Sequence, residues 1–594
     1  MLPSAFVTLA ALPTTPHGTI DRAALPEVEL PEPAQDTPFV APADDLQRSI
    51  AQVWRDLLGV ERVGGIDNFF ALGGHSLLAT KLAAQIKATQ GVQVPLRVFF
   101  EHPTVAEFAA WIVEQRLLAP SGVSAIPVAS RGEGIALSFA QERLLLRHPV
   151  AAEDPYHNVL TAVTLTGHLD EDALRRGLDD IVRRHEALRT RIVPGSPELV
   201  QVIDLTGTWP LAVVSLLTDD EPTRSRKLRG LIGEESDRPF RTGEGPMVRG
   251  TLIATLPDEH VLILVMHHLV TDNWSYGVLL RDLRECYEAH TLGRKPALPD
   301  LEIQYPDYAA WQRHQLISGA LDEQIGFWRD QLRDLPPALS FDAPAHQISG
   351  RATGHTRAFA IDAATTKALD RLGQREGATL FMVLMAAFDL LLHTYSDADD
   401  IVVTFPVAGR DRPETADLIG YFVNHLVVRS DLSGDRTFLD LLDQVRERTL
   451  AAYDHQGVPL WTAGTAVDRD REPFRILFNL LNAPLPEQDL YGLRTAPLNM
   501  GIGSDYVFAE VVTDMTSAEV DLALIMREDA GGLKGMWLYS IERLDAQVMS
   551  VLMRQWGRVI ELVLADPEQG VGKFRDALRQ AARPDTDSTT RKGD

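Results

Sequence analysis

The chain has 594 residues, 45% hydrophobic and 24% charged, the balance of a protein with several buried cores and not of a disordered chain. Acidic residues outnumber basic ones 83 to 57, a formal net charge of −26, which argues against nucleic acid or an anionic membrane surface as a partner. One cysteine, Cys286, excludes a disulfide framework and a cysteine-based zinc or iron–sulfur site within one chain. In chain order, residues 13–26 (PTTPHGTIDRAALP) make a turn and a stretch too short for a domain. Residues 27–44, rich in proline and acids, read as an extended linker. The apolar stretch Ala5–Leu12 lacks a basic flank and runs into Pro13, unlike a secretory signal. The run Val261–Met266 falls far short of the roughly 20 residues that span a bilayer, so a cytoplasmic protein with no membrane partner is expected.

Residues 45–118 carry a helical period. Leu46, Ile50, Val53, Trp54 and Leu57 form one stripe, and Leu78, Leu82 and Ile86 a second that begins just after Ser76. Thr104 with Glu107 is a capping-box pattern opening a last helix, whose apolar face is Val105, Phe108, Ala109 and Ile112. Three or four helices in this span make a small bundle. Residues 119–134 form a second linker. From Ile135 to about Phe574 helical and strand patterns alternate: Glu171–His185 helical, Leu188–Val193 strand-like, a hairpin of Val248–Leu256 and His260–Met266, then Leu380–Tyr395 helical and Ile401–Phe405 strand-like. That is too much chain for one core, so two lobes are expected. A polar tail, 576–594, is expected to be disordered from Ala581.

Ser76 follows two glycines and stands where a helix begins, in DNFFALGGHSLLATKL (67–82). A serine there is commonly no more than a helix cap. A helix start also offers free N–H groups and a positive dipole end to a phosphate ester. The stretch LGGHSLLATKL resembles the peptidyl carrier proteins of nonribosomal peptide synthetases. That resemblance covers residues 45–118 and implies that Ser76 carries 4′-phosphopantetheine, attached by a phosphopantetheinyl transferase, whose thiol holds the growing peptide.

MHHLVTDNWS (266–275) follows the apolar run and so leaves a buried strand. Side chains alternate across a strand, so His267 and His268 should not chelate one metal; if one enters a cavity, the other packs behind it. A buried histidine is commonly structural. A pair at a strand exit, with Asp272 four residues on from His268, also suits proton handling at an amine. The stretch resembles the HHxxxDG motif of condensation domains, of the chloramphenicol-acetyltransferase-like superfamily. Further matches follow in family order: LSFAQERLL (137–145), RRHEALRTRI (183–192), YPDYAAWQ (305–312), FPVAGR (405–410), IGYFVNHLV (419–427) and HQGVP (455–459). The resemblance spans about 135–575. It implies a two-lobed α/β fold around a tunnel, with lobes 135–305 and 306–575.

On this match His268 is the active-site histidine, His267 its structural neighbour, and Asp272 an architectural residue paired with Arg410, or alternatively with Arg184. Ser275 belongs with the structural set. Asn273 replaces the family's glycine, and a tolerance of left-handed backbone is expected to keep the loop intact. Arg147 stands in a stretch that is usually apolar. A helix beginning near Ser138 would stack it on Arg143, where it either reaches water or lines the tunnel.

PTTPHGTIDRAAL resembles the last motif of adenylation domains, with Thr19 in the lysine position. Residues 1–26 are therefore expected to be the remnant of such a domain, and the chain an internal piece of a longer synthetase. The reaction implied is attack by the amine of an aminoacyl thioester, held on a downstream carrier, on the donor thioester of this carrier. No epimerisation domain lies between carrier and condensation region, which implies an L-to-L type. Neighbouring adenylation domains would load the carriers. A backbone N–H of the 268–277 loop would stabilise the oxyanion. An epimerisation domain, a heterocyclisation domain and a non-catalytic recruiting platform are the rivals; the FPVAGR and YFVNHLV stretches speak against the first, and intact histidines against the other two.

Overall fold

A computed structural model of the chain describes residues 39–582 apart from 93, 119–124, 133, 148–156, 196–197, 340–353, 461–474, 482–488, 499–519, 530 and 542. The expected adenylation remnant, 1–26, lies outside the described residues. The bundle holds α1 (Asp45–Leu58), α2 (Ser76–Gln90), the short α3 (Arg97–Glu101) and α4 (Val105–Leu118). Asp44 caps α1 by accepting from the Gln47 N–H at 2.8 Å. Gly59 ends that helix in the left-handed conformation, φ 67°. Thr104 and Glu107 exchange the reciprocal bonds of a capping box at α4. The stripes converge on a core of Ile50, Trp54, Phe69, Leu82, Phe99, Phe108 and Ile112. The edge of Trp54 meets Phe69 at 5.2 Å between ring centroids.

The larger unit begins with β1 (Ile135–Ala136), α5 (Phe139–Arg147), β2 (Asn158–Thr166), α6 (Glu171–Arg184), β3 (Thr190–Pro194), β4 (Leu199–Ile203), β5 (Leu211–Ser215), α7 (Glu221–Asp237), β6 (Val248–Leu256), β7 (Glu259–His267), α8 (Asn273–Thr291), α9 (Tyr305–Ile317) and α10 (Asp322–Gln331). It continues with β8 (Gly354–Asp362), α11 (Ala363–Arg375), α12 (Leu380–Ser396), β9 (Asp400–Val407), β10 (Asn424–Asp431), α13 (Phe438–Asp454), β11 (Ile476–Leu481), β12 (Arg494–Pro497), β13 (Leu522–Asp529), β14 (Gly532–Ser540), α14 (Ala546–Ala565) and α15 (Val571–Ala582). Two large sheets organise it, a five-stranded one in the order β12-β2-β7-β6-β5 and a six-stranded one in the order β10-β9-β11-β13-β14-β8. This is the two-lobed α/β architecture that the sequence resemblance implies.

The lobes are not cleanly divided at residue 305. Strand β12, from the second half of the chain, pairs antiparallel with β2 and completes the first sheet. Leu418, Ile419, Tyr421 and Phe422, between β9 and β10, are buried in the first lobe's core with Tyr305 and Tyr308. Apolar surface at the seam is buried by whichever segment reaches it, so lobe membership departs from chain order. Helix α12 is buried nearly all round, the pattern of a core helix. No single helix among the described residues is long and apolar enough to cross a membrane.

Two expectations need correction. Helix α15 runs past residue 575 to Ala582, because Val571, Phe574 and Leu578 share one buried face. The second half of the 119–134 linker is pinned. Arg131 bonds Asp307 on α9 at 2.6 Å and lies 2.8 Å from Glu186, while Ile126 is buried in the first lobe.

Candidate active site

Strand β7 is hydrogen-bonded on both sides, by β2 and β6, and is buried from Val261 to His267. It ends at His267, and a short 3-10 turn, His268–Val270, follows. The His267 Nδ1 accepts from the Leu269 N–H at 3.1 Å, which leaves Nε2 as the protonated nitrogen of its neutral ring. That ring faces His157 at 5.8 Å and Phe240 at 6.1 Å. Burial, with the positive charges that His157, His268 and Arg249 carry or would carry, holds its pKa well below the usual histidine value.

His268 has the opposite tautomer. Its Nδ1 lies 2.7 Å from the Thr271 carbonyl oxygen, which can only accept, so Nδ1 holds the proton and Nε2 is the basic nitrogen of the neutral ring. The ring lies 4.6 Å from that of Tyr421. Tyr421 lines a cavity of about 260 Å³, which Ser138, Tyr308, Phe422 and Asn424 also border, together with Lys87 of the bundle. The Tyr305 hydroxyl donates to the Tyr421 carbonyl at 2.6 Å and lies 2.6 Å from the Ser138 hydroxyl, which must then donate to it. Gln141 donates to the Leu269 carbonyl, the peptide next to His268, at 3.0 Å.

Asp272 caps α8 by accepting from the Ser275 N–H at 2.8 Å. Its carboxylate also accepts from the Ser275 hydroxyl at 2.7 Å, the Phe422 N–H at 3.0 Å and Arg410 Nη2 at 3.0 Å. Arg410 donates in addition to the Ser275 hydroxyl and to the Thr415 and Leu418 carbonyls. Every charge here is buried and paired. Burial lowers the Arg410 pKa from its ordinary value, and the facing carboxylate opposes that shift. Arg184, the alternative partner, bonds Asp282 instead, at 3.1 Å. Asp282 stands ten residues further along α8, about 15 Å down the helix axis, out of reach of Asp272.

Asn273 does not adopt the expected left-handed backbone. It opens α8, and the non-glycine residues with positive φ among those described are Asp334 and Asp397. The Asp272 cap starts the helix at that position, so no special conformation is needed. The 268–277 stretch is thus a turn and a helix start, not an open loop. Arg143 reaches His425 on β10, with Nη1 2.7 Å from Nδ1. Arg147 is the last residue of α5; its side chain lies outside what is described.

Sequence reasoning named neither His185 and Asp282 nor Tyr305 and Tyr421 as single residues. The His185 Nε2 donates to Asp282 at 3.0 Å while its Nδ1 receives the Ile419 N–H at 3.3 Å. His185, Tyr305 and Tyr421 lie in quoted motifs, which was the available signal; Asp282, seven residues beyond the nearest one, had none.

Ser76 is the first residue of the fifteen-residue α2. Gly73 turns the chain at φ 92°, and a Cβ on Gly74 would stand 2.4 Å from the Phe69 ring. One glycine serves the backbone and the other the close approach. His75, the N-cap residue, makes no side-chain capping bond, and its Nδ1 is buried with no hydrogen-bond partner among the described residues. Burial, then Lys81, lowers its pKa to about 4. An uncapped start to a long helix fits a phosphate ester on its first residue. Among the described residues no cluster of histidine, cysteine and carboxylate side chains could hold a metal ion.

A condensation-domain family model matches residues 132–580, and a phosphopantetheine-attachment-site model matches 48–112. A linear gramicidin synthase polypeptide of Brevibacillus parabrevis is 38% identical over 583 residues, which is 96% of this chain but 11% of that protein. The chain thus spans about a tenth of the length of that curated relative. In the complex of the X-domain and OxyB from teicoplanin biosynthesis, a solved chain 27% identical superposes with a TM-score of 0.64, covering 77% of this chain and 99% of that one. The first condensation domain of the calcium-dependent antibiotic synthetase, solved with a substrate analogue, has a TM-score of 0.58 at 19% identity, covering 74% and 98%, a likeness of fold.

Proposed function

This chain belongs to the condensation-domain family, with a phosphopantetheine attachment site ahead of that domain, and on that premise we propose that it forms peptide bonds in nonribosomal peptide synthesis. Ser76 is the attachment residue, and the arm, when bound, supplies the thiol that carries the donor as a thioester. His268 is the catalytic residue. The amine of an acceptor, held on a downstream carrier, attacks the thioester carbonyl; the C–N bond forms, the C–S bond breaks with its electron pair leaving on sulfur, and the amine proton passes by way of His268 Nε2 to that departing thiolate. The tie of His268 Nδ1 to the Thr271 carbonyl, which makes Nε2 the basic nitrogen whenever the ring is neutral, with the ring 4.6 Å from that of the cavity-lining Tyr421, is the observation that carries this reading. Thioesters are already activated, so alignment and proton handling are the main demands.

His267 and the Asp272–Arg410–Ser275 cluster are positioning residues. His267, by holding the Leu269 N–H, fixes the turn on which His268 stands. Asp272 joins the start of α8 to the 410–422 segment and so sets the Tyr421 wall against His268. Nothing between the carrier and the condensation domain reads as an epimerisation domain, which supports an L-to-L type. A phosphopantetheinyl transferase and neighbouring adenylation domains are the partners this assigns.

The likeness to an X-domain solved in complex with OxyB supports a second reading, a domain that binds a partner protein, which without catalysis would be a recruiting platform. One experiment separates the two. The chain, with Ser76 loaded with an L-donor, is mixed with a carrier-bound acceptor, and the products are read by intact-protein mass spectrometry. An amide on the acceptor supports condensation, and no product with both carriers loaded supports the platform. A D-configured donor left on Ser76 would indicate epimerisation, and loss of a further water would indicate heterocyclisation.

A further inference from the structure

Between Ser76 and Phe100 the carrier has three charged residues, Lys81, Lys87 and Arg97, and no carboxylate. All three face the condensation domain. Lys81 Nζ stands over the Trp274 ring, 4.6 Å from its centroid. Arg97 lies 3.3 Å from Glu447 and 3.2 Å from Asp454, both on α13. Lys87 borders the same cavity as Asp411 and Arg412, within electrostatic reach of the like-charged Arg412 and of the carboxylates Asp411 and Glu414, and α2 rests against the 413–415 turn.

The receiving ring is anchored from behind. The Trp274 indole N–H donates to the Ala416 carbonyl at 2.9 Å, and the guanidinium of the buried Arg410 lies 5.6 Å from the ring centroid. The ring is thus shared by a fixed cation of the active-site cluster and a cation brought by the carrier. Trp274 stands two residues beyond Asp272, and Lys81 stands five beyond Ser76, about 8 Å along the α2 axis. The contact therefore puts the start of α2 beside the start of α8.

We propose that Lys81, Lys87 and Arg97 form a cationic docking edge that seats this carrier on the condensation domain, with Trp274, Glu447 and Asp454 as the receiving residues. The proposal rests on the condensation reading for its purpose, delivery of the Ser76-bound donor, but not for its geometry. A carrier with a carboxylate at the Arg97 position would meet Glu447 and Asp454 as like charge and be rejected, so the edge selects among carriers as well as holding one.

The test uses the full chain, its donor-loaded form and a charge swap. Arg97→Glu trades two ion pairs for two repulsions and is expected to slow single-turnover transfer from Ser76 to a soluble aminoacyl thioester acceptor by about tenfold. Transfer from a small-molecule donor thioester, which needs no carrier docking, stays at the wild-type rate. Adding Glu447→Arg and Asp454→Arg restores the carrier-borne rate. Hydrogen exchange is the second readout: the 76–101 amides lose protection in Arg97→Glu and in Lys81→Glu, and regain it in the swapped variant. Unchanged exchange and transfer in Arg97→Glu, or a swapped variant that recovers neither, would overturn the proposal. A wild type that makes no amide from either donor would remove the condensation reading, while the exchange data still decide the docking edge.

Discussion

The Asp272–Arg410 pair allows the sharpest stability test. Asp272→Ala removes an acceptor for four donors: the Ser275 N–H and hydroxyl, the Phe422 N–H and Arg410 Nη2. It leaves a buried guanidinium uncompensated and uncaps α8. Breaking a buried pair costs about 3–5 kcal/mol and losing a cap about 1 kcal/mol, so about 5 kcal/mol is expected. Arg410→Met leaves Asp272 three of its four donors, which puts that cost near the lower end, about 3 kcal/mol. The double variant has no unpaired charge and should cost about 5 kcal/mol instead of the additive 8 or so, a coupling of about 3 kcal/mol. Urea unfolding followed by tryptophan fluorescence measures all four proteins, taking the transition of the condensation unit. Additive costs within about 0.5 kcal/mol would refute the claim that the two charges hold each other in place.

Three further outcomes follow from the same geometry. His267 and His185 are held neutral by burial, with folded pKa values below the ordinary 6.5, so below about pH 6.5 the unfolded chain binds more protons. Stability is then full above that pH and falls by up to about 1.4 kcal/mol per unit and per histidine as acid is added, until the folded pKa is reached. Urea midpoints from pH 7.5 to 5 check this, and a flat profile would contradict it. Gly420→Ala would put a Cβ 2.1 Å from the Tyr305 ring, on a residue whose N–H donates to the Ser275 hydroxyl, and should cost about 1–3 kcal/mol of the same unfolding free energy. Arg184→Ala should cost about 1 kcal/mol or less, because Asp282 keeps Arg281 and His185; a loss as large as that of Asp272→Ala would show the pairing to be misassigned.

The helices of the carrier and the β6–β7 hairpin were legible because each buries one face of a regular period, such as Ile50 and Trp54 on α1 or Val261 to Met266 on β7. The pairing of Asp272 with Arg410 was named from the order of motifs alone. Lobe membership was not legible. Strand β12 pairs with a strand more than 300 residues earlier, and local pattern carries no record of such a partner. The reading of Asn273 went astray for a local reason: a glycine in the family motif was taken to mark left-handed backbone, while the aspartate before it already caps a helix. Tyr305 and Tyr421 escaped notice because a hydroxyl-to-carbonyl bond between segments more than 100 residues apart leaves no spacing to read.

The most direct measurement of the central claim is single-turnover amide formation by the donor-loaded chain, wild type against His268→Ala, with product and residual donor quantified by mass spectrometry. A lost proton acceptor predicts a rate lower by about 10²–10⁴, with loading of Ser76 and the urea midpoint of the condensation unit essentially unchanged. Amide formation at the wild-type rate in His268→Ala would contradict the assignment of the proton-handling role to that ring.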